Sequence, residues 1–304
     1  MKKYDNLNGW LNFNKPYGYS SFKTINLVKN ILKIKKLGHA GTLDPIATGV
    51  LPIAIGEATK ALSYVFESDK SYKFTVTWGS QTSTDDIEGK IIKSTKRRPS
   101  KDQITSVIEN YIGEIMQKPP DYCALKINGQ RAYKLARSGQ KIKLDKRKVY
   151  IYDLTLDKII DDDTALFILK CSKGTYVRSL ARDIGAELGV FAHVKRLQRT
   201  SVGNFIEKNS ISLDQLIELK QDASTKDLIL PIFSPINKSK LIDVGVDCKN
   251  KLINGIKIPY LTKNLNCLKN GDFIFTQYLN DPVAICLFQD GSLKPKRVFN
   301  IFRH

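Results

Sequence analysis

The chain has 304 residues, 42% of them hydrophobic, which is long and apolar enough to bury a substantial core and excludes a disordered protein. Its 49 Lys and Arg against 30 Asp and Glu leave a net charge of +19, so an anionic partner is expected. No apolar run approaches the ~20 residues of a membrane span, and Met1-Lys2-Lys3-Tyr4-Asp5-Asn6 lacks the apolar core of a signal peptide, so that partner reads as nucleic acid in the cytoplasm.

Trp10-Leu11-Asn12-Phe13-Asn14-Lys15-Pro16 predicts a short strand that ends in a turn. Ser20 or Ser21 then caps a helix with Phe22, Ile25, Val28, Ile31 and Leu32 on one face. Lys29, Lys33, Lys35 and Lys36 gather near its end, where positive charge suits the helix dipole. Residues 38–52, GHAGTLDPIATGVLP, follow with three glycines, two prolines and one acid. Pro45 has a fixed φ and pushes Asp44 out of the helical region, while the glycines let backbone or ligand approach closely. Such a turn can present a single carboxylate to a substrate, although Asp-Pro also opens ordinary turns.

Tyr72 to Trp78 alternates and is rich in aromatic and β-branched residues, a strand. Gln81 to Gly89 reads as a polar, acidic loop. Ser100 and Gln103 form a capping box ahead of Ile104, Val107, Ile108, Tyr111, Ile112 and Ile115, an amphipathic helix. Between Lys126 and Tyr150, Lys126, Arg131, Lys134, Arg137, Lys141, Lys143, Lys146, Arg147 and Lys148 are opposed by Asp145 alone. That density favours a surface for a phosphate backbone over a merely solvated face.

Lys148–Leu156 and Thr164–Cys171 predict two strands joined by Asp161-Asp162-Asp163. The turn Ser172-Lys173-Gly174 opens a helix with Val177, Leu180, Ala181, Ile184 and Leu188 inward, stopped by Gly189. Ser212 and Gln215 form a second capping box. The irregular stretch Gln221–Lys240 suggests a boundary between a large domain over 1–235 and a small β-rich module over 236–304. Five dispersed cysteines without Cys-x-x-Cys, and three scattered histidines, give no disulfide framework and no metal site. Neither a phosphate-binding loop nor a dinucleotide fingerprint is present.

One displayed acid, a basic surface and no cofactor signature together suggest RNA chemistry run by a carboxylate as nucleophile or base. Arg178 is the best counter-ion, because its fork can hold a carboxylate bidentately.

Residues 38–52 resemble the catalytic motif of the tRNA pseudouridine-55 synthases, the TruB family. Asn14-Lys15-Pro16-x-Gly18-x-Ser20-Ser21 resembles that family's opening motif. Lys118-Pro119-Pro120-x-Tyr122-x-Ala124-Leu125-Lys126, with Gly129, Ala132, Tyr133, Ala136, Arg137 and Gly139, resembles its RNA-gripping insertion. Cys171 to Leu180 resembles the late motif that completes the active site, and Ala192-His193-Val194 to Leu197-x-Arg199 continues it. The resemblance spans about residues 9–220. It implies an α+β pseudouridine synthase fold, a large mixed and mainly antiparallel sheet flanked by helices, followed by a PUA-like RNA-binding module.

The resemblance also implies isomerisation of uridine in the tRNA T loop, without metal, organic cofactor or required protein partner, by a monomer. Asp44 falls on the nucleophile, Arg178 on its partner and Tyr72 on the tyrosine that stacks on the target base. His39, Tyr176, Leu197 and Lys15 fall on substrate-contacting positions. Lys126, Arg131, Arg137, Lys141, Lys143, Lys146, Arg147 and Lys148 fall on the RNA-holding insertion, about residues 118–150. A tRNA-folding chaperone or plain RNA-binding protein is the alternative, and neither would need Asp44, Tyr72 and Arg178 together.

Overall fold

The computed structural model describes residues 7–302 except 124, 128, 139, 141–143, 220–226 and 261–267. The apolar alternation at the start forms β1 (Gly9–Lys15), buried on both faces. Helix α1 (Ser21–Leu32) begins where the Ser20 side chain accepts from the Lys23 N–H. Its buried stripe is Ser21, Thr24, Val28 and Leu32, so Phe22, expected inside, is 73% exposed. Ser21 is drawn inward because its hydroxyl donates to the Leu43 carbonyl and accepts from the Leu43 N–H, which fastens the helix to the Asp44 turn. That turn links β2 (Leu37–His39) to β3 (Ala47–Ile55). A short helix α2 (Leu62–Phe66) then leads into β4 (Lys70–Trp78).

The expected loop over 81–89 is partly a hairpin of β5 (Ser80–Thr82) and β6 (Ile91–Ser94), and its residues Thr82, Asp85 and Asp86 are buried. The Ser100–Gln103 capping box starts α3 (Lys101–Glu109). This helix ends earlier than its apolar spacing suggests, because Gly113 adopts φ +97° and opens β7 (Gly113–Gln117), which takes Ile115. The insertion contains the small hairpin β8 (Lys126–Ile127) and β9 (Gln130–Arg131), then α4 (Ala132–Arg137). Next come the hairpin strands β10 (Arg147–Asp161) and β11 (Thr164–Cys171), helix α5 (Val177–Glu187) and β12 (Ala192–Val202). After β13 (Phe205–Ile206), α6 (Leu213–Leu219) and β14 (Ile229–Leu230), the C-terminal residues supply β15 (Leu241–Asp243), α7 (Val246–Ile253), β16 (Ile258–Pro259), β17 (Phe273–Tyr278), β18 (Asp281–Gln289) and β19 (Ser292–Val298).

The main sheet runs β14-β1-β3-β12-β4-β11-β10-β7, with β2 on β3 and β13 on β12. Every pairing in it is antiparallel except β3 with β12. That parallel join sets Leu197 opposite Ala47 and Arg199 opposite Gly49, bringing distant motifs to one spot. Helices α1, α3 and α5 cover one face over a core that includes Val28, Leu32, Phe74, Ile104, Phe167, Leu180 and Ile184. A second sheet, β15-β17-β18-β19-β16, forms the β-rich module. Both sheets share a buried aromatic seam: Phe233 lies edge-on to Phe275 and Phe299, with ring centroids 5.4 and 5.3 Å away. The architecture is the mixed α+β fold expected.

Candidate active site

A cavity of about 380 Å³ opens where the Asp44 turn, the start of β4, the turn before α5 and the middle of β12 converge. Its walls include Asp44, Tyr72, Tyr176, Arg178 and Leu197. The separate sequence motifs therefore meet in space. Two expected substrate contacts do not line it. Lys15 lies beneath the turn, fully buried, with Nζ donating to the carbonyls of Pro16 (2.9 Å), Tyr19 (2.6 Å) and Pro45 (3.4 Å). It braces the backbone beside Asp44, and burial pulls its ammonium down to about 8. His39 ends β2, paired with Ile53 of β3, also outside the lining.

Arg178 Nε meets Asp44 Oδ2 at 2.9 Å; the arginine side chain is 5% exposed and the aspartate 34%. The guanidinium also faces Asp86 Oδ2 at 3.5 Å and donates to the Thr84 carbonyl (2.8 Å) and the Tyr122 carbonyl (2.9 Å). Two carboxylates and two carbonyls thus fix its fork, which aims one edge at Asp44. Desolvation pushes the Asp44 carboxyl above the usual carboxylate range; the Arg178 ion pair opposes this and Asp86 reinforces it. An acid held ready at the rim of a cavity, with one oxygen paired, is suited to nucleophilic or proton-transfer chemistry.

A second buried arginine organises the opposite wall. Arg199 is 1% exposed, with Nε donating to the Val50 carbonyl (2.8 Å) and Nη2 to the Gly41 carbonyl (3.0 Å). It is also the cross-strand register partner of Tyr72. One side chain therefore holds both shoulders of the Asp44 turn, while burial pushes the Tyr72 hydroxyl up to about 12 and keeps it neutral. Lys70, in the same lining, donates to the carbonyls of Phe66 and Ser68, and burial pulls it down to about 8. Tyr176 and Cys123 line the same cavity.

Asp86, Lys70 and the anchoring role of Arg199 were not assigned from sequence. A buried acid in a polar string looks like a solvated one, and only the sheet register reveals that Arg199 faces the turn. Of the basic insertion, Lys146, Arg147 and Lys148 are exposed, and Lys148 pairs with Glu114 at 2.9 Å. Lys126 and Arg131 are register partners in the small hairpin, and Arg137 ends α4. Lys141 and Lys143 lie outside the described residues. Among the described residues no group of His, Cys, Asp and Glu could hold a metal ion, and no helix is long and apolar enough to cross a membrane.

Residues 29–177 match the TruB family pseudouridylate synthase N-terminal domain, and residues 178–237 match the tRNA pseudouridylate synthase B C-terminal domain. The chain is 46% identical to tRNA pseudouridine synthase B of Ehrlichia chaffeensis over 96% of its own length and 99% of that protein's. It is 39% identical to the protein of that name from a Caulobacter species, over 99% and 98%. Among solved structures, a Cbf5–Nop10–Gar1 complex matches with TM-score 0.74 at 25% identity, covering 96% of this chain and 84% of that one. An H/ACA RNP bound to a substrate RNA containing 2'-deoxyuridine matches with TM-score 0.73 at 23% identity, with the same coverage, which shows the shared fold. Family match, fold and converging motifs lead to one conclusion: the chain belongs to the TruB family of pseudouridylate synthases.

Proposed function

We propose that the protein isomerises uridine to pseudouridine at position 55, in the T loop of tRNA, with Asp44 as nucleophile. The observation that carries this reading is the Asp44–Arg178 ion pair at the mouth of a cavity walled by Tyr72, Tyr176 and Leu197. The target base leaves its stack, and Tyr72 offers an aromatic face in exchange, worth roughly 1–3 kcal/mol. Asp44 attacks the ribose or the uracil ring, the N1–C1′ bond breaks, the ring turns and C5 bonds to C1′; the bond to Asp44 then breaks to free the carboxylate, and the proton lost from C5 is matched by one taken up at N1. Substrate and product are isomers, so the reaction consumes no oxidant and no second substrate. Arg178 holds the carboxylate in place and favours its charged form, opposing the desolvation that raises it.

The basic insertion, about residues 118–150, grips the T stem-loop backbone, and residues 236–304 hold a more distant part of the tRNA as an RNA-binding module. The protein works as a monomer in the cytoplasm and without a protein partner. The test is a single-turnover assay on tritium-labelled tRNA with Asp44→Asn, which is expected to bind tRNA within about twofold of wild type and to form no product. Appreciable product from that variant overturns the nucleophile assignment. Undiminished complementation of a synthase-deficient cell by the same variant would favour the chaperone reading.

A further inference from the structure

The root of the basic insertion is bound to the helix that carries Arg178, and one buried amide makes the central connection. Gln117, the last residue of β7, is 2% exposed. Its Oε1 accepts from the Tyr176 N–H at 2.8 Å, and its Nε2 donates to the Tyr176 carbonyl at 3.1 Å. Tyr176 is the N-cap of α5, and no side chain supplies a capping bond at that end. The first turn of a helix has backbone donors without intrahelical partners and frays readily when nothing caps it. Here a side chain from another strand pins the capping residue from both its N–H and its carbonyl.

The consequence reaches the active site within two residues. Tyr176 lines the cavity, and Arg178, in the first turn of α5, carries the ion pair to Asp44. The next residue, Lys118, is fastened to the same helix, since its carbonyl accepts from Ser179 Oγ at 2.8 Å and Arg182 Nη2 at 3.0 Å. Arg178 itself reaches the insertion through the Tyr122 carbonyl. Residues Gln117, Lys118 and Tyr122 are therefore all fastened to the first half of α5.

We infer that Gln117 is a positioning residue, which sets Tyr176 and Arg178 against Asp44 and transmits the seating of RNA on the insertion to that ion pair. This rests on the reading of Asp44 and Arg178 given above. Gln117 does not line the cavity. Its loss should leave the RNA-holding surface in place while displacing the reacting groups, and a displacement of about 1 Å can cost on the order of 100-fold in rate.

The experiment compares wild type, Asp44→Asn, Gln117→Ala and Gln117→Glu by single-turnover product formation, tRNA affinity and thermal unfolding. Gln117→Ala is expected to lose roughly 10- to 100-fold in rate with tRNA affinity within about twofold. Gln117→Glu keeps the acceptor for the Tyr176 N–H but not the donor, and should recover part of the rate. A wild-type rate in both variants overturns the inference. So does an affinity that falls in step with the rate, since that would make Gln117 part of the general scaffold. If Gln117→Ala does not fold, Gln117→Glu decides on the same criteria. Wild-type protein that forms no product would instead overturn the proposed function, and active Asp44→Asn the nucleophile assignment.

Discussion

Buried cations without a matching number of acids define this site. Arg199, Lys15 and Lys70 spend their donors on backbone carbonyls, which satisfies the hydrogen-bond demand of buried polar groups while leaving charge near the cavity. The lysines carry a measurable consequence. Lys70 has its ammonium at about 8 in the folded chain, against 10.5 as a free side chain. Between those values the unfolded chain binds the extra proton, so this group's contribution to stability rises with pH from about 8 to 10.5. The buried thiols of Cys171 and Cys286, both raised to about 12, work in the opposite direction above pH 9. The informative quantity is the difference in urea-unfolding free energy between wild type and Lys70→Met. It should grow in favour of wild type as pH rises from 8 to 10.5; a flat difference shows that Lys70 is solvated in the folded protein.

The elements explain what could be read from the chain and what could not. Capping boxes at Ser100 and Ser212 were legible because their donors and acceptors lie within four residues of each other. The α1 face was misjudged at Phe22 because Ser21 and Thr24 turn inward, a choice fixed by the Asp44 turn 22 residues away. Asp86 and Arg199 acquire their roles only through pairings across the sheet. Gly49 illustrates such a long-range demand. It has φ +98°, and a Cβ there would stand 2.2 Å from the Arg199 carbonyl oxygen. Both the left-handed backbone and the parallel contact between β3 and β12 therefore require glycine. Gly49→Ala is expected to destabilise the fold by more than ~1 kcal/mol, read as a lower urea midpoint at unchanged slope. An unchanged midpoint would mean that β12 can shift away, and that its register does not hold Arg199 against the turn.

Across the molecule, the β-rich module packs directly on the catalytic sheet. Lys60 Nζ donates to the Val298 carbonyl and the Asn300 N–H to Glu57 Oε2, while Trp10 Nε1 of β1 holds the Ile232 carbonyl of the preceding stretch. Ile232, Phe233 and Ile236, in the stretch that reads as a boundary, are buried in this seam. The +19 charge sets a long-range attraction for polyanions that salt screens. The exposed run Lys146-Arg147-Lys148 tests whether the insertion contributes phosphate contacts. Each such contact removed should lower the slope of log affinity against log salt by roughly 0.7–0.9. Lys148 is already paired with Glu114, so it releases fewer counterions than its neighbours. Changing all three residues to alanine is therefore expected to reduce the slope for tRNA by about 2, with weaker binding at low salt and the single-turnover rate at saturating tRNA largely retained. An unchanged slope would show that these charges are solvated and that the phosphate contacts lie elsewhere on the basic surface.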